Sequence, residues 1–396
     1  MTLKQMLVEM LNRRASDLHI RVGIRPYLRV NGNLEQISTD PITIDNMDQI
    51  ASQILNEKQL ERFNRKNEMD LALSVAKLGR FRINLFRQRG TTGIAIRSVN
   101  TSVPTFEDLN LPPILRKLAR ERHGLIIITG TTGSGKSTTM ASIIEEMNVT
   151  EPLNILTIED PIEYIYRDKK AIISQREVGG DTENFASALR HAFRQDPDVI
   201  MIGEIRDLET MSIALTAADT GHLVITTLHT LNVMETITRI ISFFPPHQHQ
   251  QIRLLLAGTL KAIVCQRLLT RADMPGLVPA LEIMVNTGAI RECIMNQDKT
   301  VDIPELLEQG RVQYGMQSFD QSIMRLYKQG MLTFEEAMSA TTNPDDFDLR
   351  LKGITGAADR WDEEPSGNTP NVQAPVPPKQ NIGGSTRDMP GGYSKY

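Results

Sequence analysis

Residues 130–137 read Gly-Thr-Thr-Gly-Ser-Gly-Lys-Ser, and Thr138 follows. This order fits G-x-x-x-x-G-K-[ST], a loop that holds phosphate groups. Gly130, Gly133 and Gly135 let the chain turn tightly and bring backbone N–H groups close to phosphate oxygens. Thr131, Thr132, Ser134 and Thr138 complete the cradle. Lys136 is long enough to reach the β- and γ-phosphates of a nucleotide, and the Ser137 hydroxyl can ligate Mg²⁺. A nucleoside triphosphate and Mg²⁺ are therefore the expected ligands. The flanking pattern agrees. Residues 125–129 form a short apolar, β-branched run that predicts a buried strand. From Ser137 onward, Met140, Ala141, Ile143, Ile144 and Met147 recur at helical spacing. A helix starting there aims its positive end at the same phosphates.

Hydrolysis also needs a carboxylate to orient water and positive charge near the γ-phosphate. Three further stretches offer these. Residues 156–163, Leu-Thr-Ile-Glu-Asp-Pro-Ile-Glu, end a strand in Glu159, Asp160 and Glu163. Three carboxylates so close together need a cation or basic groups beside them. Residues 196–204 form an apolar strand ending in Gly203-Glu204, with Gly203 where the metal-ligating aspartate of a Walker B strand usually stands. Glu204 would act on water or on the metal through its bound water. In residues 220–230, His222 and His229 bracket a strand. They lie about seven residues and roughly 20 Å apart along it, too far to share a metal. His229, at the C-terminal end, suits a γ-phosphate sensor. For His222 an ordinary structural histidine is an equal reading.

The elements that must position these groups follow from periodicity. Residues 111 to about 355 alternate strands (155–158, 199–202, 223–227) with helices (184–194, 208–218), the pattern of an α/β domain with a mainly parallel sheet. From about residue 248 the pattern turns largely helical. Residues 1–98 predict a small α+β domain, with an amphipathic first helix, a hairpin at Asn31-Gly32 and three later strands. In residues 80–88, Phe81, Ile83 and Leu85 alternate on one face and Arg82 lies on the other. In 93–99, Ile94 and Ile96 face the core and Arg97 lies opposite. Alone, these would be two solvated arginines. Residues 99–111, with Pro104, read as a linker. The last stretch, 356–396, is rich in Pro, Gly, Ser and Asn, carries the single Trp361, and is expected to be disordered.

The 396 residues suffice for two domains with real cores. The formal net charge of −4 argues against bulk nucleic-acid binding. No apolar run reaches the roughly 18–20 residues of a membrane span, and the first eleven residues lack a signal-peptide core. The expectation is a cytoplasmic protein without direct membrane insertion. Its two cysteines, Cys265 and Cys293, have no metal-ligand spacing.

Taken together, Ala15-Ser-Asp-Leu-His19, residues 130–138, 156–163, Gln175-Arg-Glu-Val178, 196–207, 220–230 and Gly315-Met-Gln317 make the chain resemble the PilT type of type IV pilus retraction ATPases, within the secretion-ATPase superfamily. The resemblance covers about residues 1–355. It implies a PAS-like N-terminal domain (1–98), a RecA-like P-loop ATPase domain with a helical C-terminal part (112–355), and a homohexameric ring with nucleotide at subunit interfaces. It places Glu163 in an acidic box, Glu204 in Walker B, and His222 and His229 in a histidine box. It also brings N-domain arginines to the nucleotide phosphates, with Arg80, Arg82, Arg87 and Arg97 as the choices. The implied partners are an inner-membrane pilus platform protein and a paralogous retraction ATPase, which sets the chain at the inner face of the inner membrane. Ala289-Ile-Arg291 matches a retraction-linked motif, whereas Glu292-Cys293-Ile294 departs from it. The tail resembles that of accessory PilU-like paralogues. The four-cysteine zinc motif of pilus-assembly ATPases is missing, which disfavours an extension motor. An accessory subunit that hydrolyses little, and a related secretion or DNA-uptake ATPase, stand as alternatives.

Overall fold

The computed structural model describes residues 1–352 apart from 31, 38 and 101. Two sheets, each with its own core, organise these residues. The expected tail at 356–396, with Trp361, lies outside the described residues.

The N-terminal part runs α1 (Leu3–Asn12), β1 (Asp17–Arg21), β2 (Tyr27–Val30), β3 (Asn33–Gln36), α2 (Ile44–Ile54), α3 (Glu57–Lys66), β4 (Glu68–Val75), β5 (Gly79–Gln88) and β6 (Thr91–Ser98). Its six strands form an antiparallel sheet in the order β3-β2-β1-β6-β5-β4. Thr2 caps α1 reciprocally with Gln5, and Leu3, Met6, Leu7 and Met10 turn one face of that helix inward. The period-2 reading of the last two strands holds. Phe81, Ile83, Leu85, Ile94 and Ile96 are buried, while Arg82 and Arg97 stand directly opposite each other on the outer face.

The second part runs α4 (Ile114–Leu118), β7 (Gly124–Thr129), α5 (Lys136–Thr150), β8 (Asn154–Glu159), β9 (Ile172–Glu177), α6 (Phe185–Ala192), β10 (Val199–Ile202), α7 (Leu208–Asp219), β11 (Leu223–Leu228), α8 (Val233–Ser242), α9 (His249–Thr259), β12 (Leu260–Thr270) and β13 (Leu277–Val285). Six helices follow: α10 (Gly288–Met295), α11 (Ile303–Gln309), α12 (Arg311–Tyr314), α13 (Phe319–Lys328), α14 (Phe334–Ala340) and α15 (Pro344–Leu351). The seven-stranded sheet has the order β13-β12-β7-β11-β10-β8-β9, parallel except for β13. Helices cover both faces, so β7 is apolar on both sides. Leu125 and Ile127 join one core, and Ile126 and Ile128 the other. This is a RecA-like ATPase fold behind a small PAS-like α+β domain.

Two expectations change. The helical C-terminal part begins at Gly288 rather than near residue 248, because residues 260–285 form β12 and β13, which pair over nine residues. A mostly buried, mostly apolar stretch shows no steady period that separates strand from helix. Residues 104–111, read as linker, include Phe106 and Leu111, which are buried in the ATPase core.

Candidate active site

The strand order dictates where side chains converge. The chain leaves β7 through α5 and returns in β8, two strands beyond its neighbour β11. The C-terminal ends of β7, β8, β10 and β11 therefore open on one crevice, the place where open α/β sheets bind ligands. A cavity of about 590 Å³ lies there, bounded by the phosphate loop, Glu159 to Tyr164, Gly203, Glu204, Arg206, Thr227 and His229.

The loop is held by its own chemistry. Gly130, Gly133 and Gly135 have φ values of +146°, +80° and +87°. These are left-handed conformations that other residues rarely adopt. Lys136 is buried, and its ammonium donates to the carbonyls of Gly130 and Thr131, both at 2.8 Å. Burial pulls its pKa below the ordinary lysine value, and the charge of Glu204 offsets part of that. Thr138 bonds the hydroxyl of Tyr164 at 3.0 Å.

Glu204 leaves β10 into the cavity. It pairs with Arg206 and accepts from His229 Nε2 at 3.2 Å. Thr227 donates to the Gly203 carbonyl at 2.6 Å, tying the exits of β10 and β11 together. Glu204 and His229, twenty-five residues apart in sequence, thus form one contact.

Glu159 is buried and accepts from Thr157 at 2.8 Å, from Gln175 at 3.1 Å and weakly from the Glu163 N–H at 3.4 Å. Burial raises its pKa against those three donors. Glu163 is half exposed and takes its charge partner from the N-terminal domain. Arg82 Nη2 lies 3.3 Å from Glu163 Oε1 and 3.2 Å from the carbonyls of Pro161 and Ile162. A second bridge joins the domains beside it. Arg80 Nη2 lies 3.0 Å from Glu177 Oε2, and that oxygen also accepts from the Ile162 N–H at 3.3 Å.

Arg82 reaches the cavity only through its contacts with Glu163 and the Pro161 carbonyl, and two residues neither line the cavity nor bond one that does. Arg97 pairs with Asp17 at 2.8 Å within its own domain. It holds that carboxyl below the ordinary aspartate range, together with the hydroxyl of Ser16 and against the opposing effect of burial. His222, grouped above with the nucleotide-binding residues, precedes β11, whereas the cavity lies at its C-terminal end. Its Nδ1 sits 3.1 Å from the Ala217 carbonyl and its ring packs edge-on against Phe193. Six strand residues separate it from the crevice.

The residue reading missed Gln266 and Tyr164, and counted Glu159 only as one of three carboxylates at a strand end. Gln266 had a signal: it is the one amide in residues 260–269, a mostly apolar stretch that also carries Lys261 and Arg267.

The oxygen donors facing the crevice, Ser137, Glu163 and Glu204, suit a hard cation such as Mg²⁺, which takes few protein ligands and completes its shell with water and phosphate. Among the described residues no cluster of three or more His, Cys, Asp or Glu forms a self-sufficient metal cage, and no helix is long and apolar enough to cross a membrane.

Comparison with known proteins places this architecture. The family model described as Type II/IV secretion system protein matches residues 1–339. The chain belongs to that family. Among its relatives, the type IV pilus ATPase PilU of Pseudomonas aeruginosa is 39% identical, across 89% of this chain and 92% of that protein. The type IV pilus retractation ATPase PilT of the same organism is 38% identical, across 88% of this chain and 100% of the relative. The crystal structure of the pilus retraction motor PilT with bound ADP superposes with a TM-score of 0.80 at 40% identity, over 87% of this chain and 98% of that one. The Legionella pneumophila ATPase DotB superposes with a TM-score of 0.74 at 28% identity, over 89% of this chain and 96% of that one. This member of the family is an ATP hydrolase of the PilT and PilU branch.

Proposed function

We propose that the chain is one subunit of a homohexameric motor that hydrolyses ATP to drive type IV pilus retraction, and thereby twitching motility. The observation that carries the reading is the meeting of three things at one sheet edge: the phosphate loop, the Glu204–His229 pair, and Glu163 held by Arg82 of the other domain. On this reading residues 1–98 form the PAS-like domain, 99–111 connect, and 112–355 form the ATPase domain.

Each residue then has a task. Residues 130–138 cradle the phosphates, with Lys136 moving from the loop carbonyls to the β- and γ-phosphates. Ser137, with Glu163 and Glu204 acting through water, would hold Mg²⁺. Held there, it would supply positive charge beside the phosphates. Glu204 orients and polarises the attacking water, and His229 registers whether a γ-phosphate is present. Arg82 is the N-domain cation best placed to answer a change in phosphate charge, since it already sits at the rim. Arg97 would have to leave Asp17 to join it. Work is done only if the nucleotide binds the two domain arrangements with different affinity. The Arg82–Glu163 contact supplies such a difference. The remaining assignments are a cytoplasmic ring docked on an inner-membrane platform protein, working beside a paralogous ATPase.

The test is steady-state Mg-ATPase activity of the full chain with a motility assay in a strain lacking it. Wild type should turn over and restore twitching. Glu204→Ala should do neither while still assembling. The similarity to PilU over nearly its whole length favours one second reading, an accessory subunit. An assembled wild type without turnover would establish that reading instead.

A further inference from the structure

We propose that Gln266, on β12 outside the motif, is a positioning residue that sets the shape of the phosphate loop. This rests on the reading that residues 130–138 hold the nucleotide.

A buried amide in an apolar strand must find partners. Those of Gln266 are not its neighbours in the sheet. Its Nε2 donates to the Ser134 carbonyl at 2.7 Å, and its Oε1 accepts from the Thr139 hydroxyl at 2.7 Å. One partner precedes Lys136 in the loop and the other follows it in the first turn of α5. The side chain, only 3% exposed, therefore spans the segment that carries the phosphate-binding lysine. Steric fit points the same way. A Cβ at Gly130 would run into the Gln266 carbonyl oxygen, and one at Gly135 would lie 2.7 Å from Gln266 Nε2. Of these two loop glycines, Gly135 is the one confined by the Gln266 amide, whereas at Gly130 it is the backbone of residue 266, with the Ser134 hydroxyl, that closes the space. Register explains how a residue so far along the chain arrives there: Cys265 pairs with Thr129, the last residue of β7. Gln266 therefore begins where the loop begins.

The loop meets phosphate in the ground state and in the transition state alike. Loosening it should weaken binding more than chemistry. The experiment is Mg-ATP kinetics and ADP binding on the full chain, with thermal unfolding in parallel. Gln266→Leu removes both bonds and should raise KM and the ADP Kd about 10- to 30-fold, the worth of one to two buried hydrogen bonds, with kcat within about threefold. Thr139→Val, which keeps shape and removes one bond from the far side, should raise them about 3- to 10-fold. It also serves if Gln266→Leu does not fold. The double variant should be no worse than Gln266→Leu alone, because both changes break the same link. A lower Tm with unchanged KM and Kd in either variant would overturn the proposal and leave Gln266 a core residue. Lys136→Ala runs beside them. If it still binds ADP normally, the phosphate-loop reading itself has failed and takes this inference with it.

Discussion

Charge placed beside charge decides what single residues do in this site. Glu204 lies between Arg206 and His229, so its carboxylate meets the cavity with a basic side chain on either side. Glu204→Gln keeps the shape and removes the base. Its kcat should fall about 10²- to 10⁴-fold, with ADP affinity within a few-fold of wild type by direct titration. Glu159 illustrates the opposite case. Burial raises its pKa in the folded state above its unfolded value. Between those two values the folded chain binds the extra proton, so stability falls as pH rises through that window and is level above it. Glu159→Gln has no such proton to lose. Its Tm relative to wild type should therefore climb through the same window and then plateau, which a series of melts from acid to neutral pH would show. A flat difference would mean that the three donors fully compensate burial.

Among elements, the loop between β7 and α5 is the most constrained. Its glycines are not equivalent. At Gly133 the φ is +80° and nothing lies within 4 Å of an added Cβ; at Gly135 the φ is +87° and the Gln266 amide stands in the way. Gly133→Ala should cost only the left-handed conformation, about 1–2 kcal/mol. Gly135→Ala carries that cost and a steric one as well. ADP titration should rank wild type tightest, then Gly133→Ala, then Gly135→Ala. The acidic turn after β8 is held from outside. Arg82 grips its carbonyls, and Glu177 grips the Ile162 N–H while pairing with Arg80. Arg80→Ala leaves the Glu177 carboxylate without its cation in a shielded place. A loss of roughly 1.5–3 kcal/mol is expected, read as earlier unfolding in denaturant and as a lower kcat through Glu163.

For the whole molecule, the question is which subunit supplies the arginine. Here Arg82 sits on the acidic turn of its own chain. If catalysis uses that contact, a mixture of Glu204→Ala and Arg82→Ala subunits contains no site with both groups intact. No activity should return above the sum of the two. Recovery on mixing would mean that Arg82 crosses to a neighbouring subunit during turnover. The like-charged pair Arg82 and Arg97, facing each other across β5 and β6, is tolerated because each has an acid of its own, Glu163 and Asp17. Those acids come from different domains, so a change in domain orientation unbalances one arginine and not the other.

What the sequence determined by itself was local chemistry: the phosphate loop with its strand and helix, Glu204 at a strand end, and the outward arginines of a period-2 sheet. Each is encoded within one or two elements, where spacing alone fixes geometry. The strands β12 and β13 were not legible, since their few polar residues fall at no steady spacing that would betray a period. Tertiary structure alone decided which distant groups meet. His229 reached Glu204, Arg82 reached Glu163 and Gln266 reached the loop. It also set His222 at the opposite end of β11 from His229. Strand order and register made those choices, and both arise from how the whole chain packs its cores rather than from any one stretch of it.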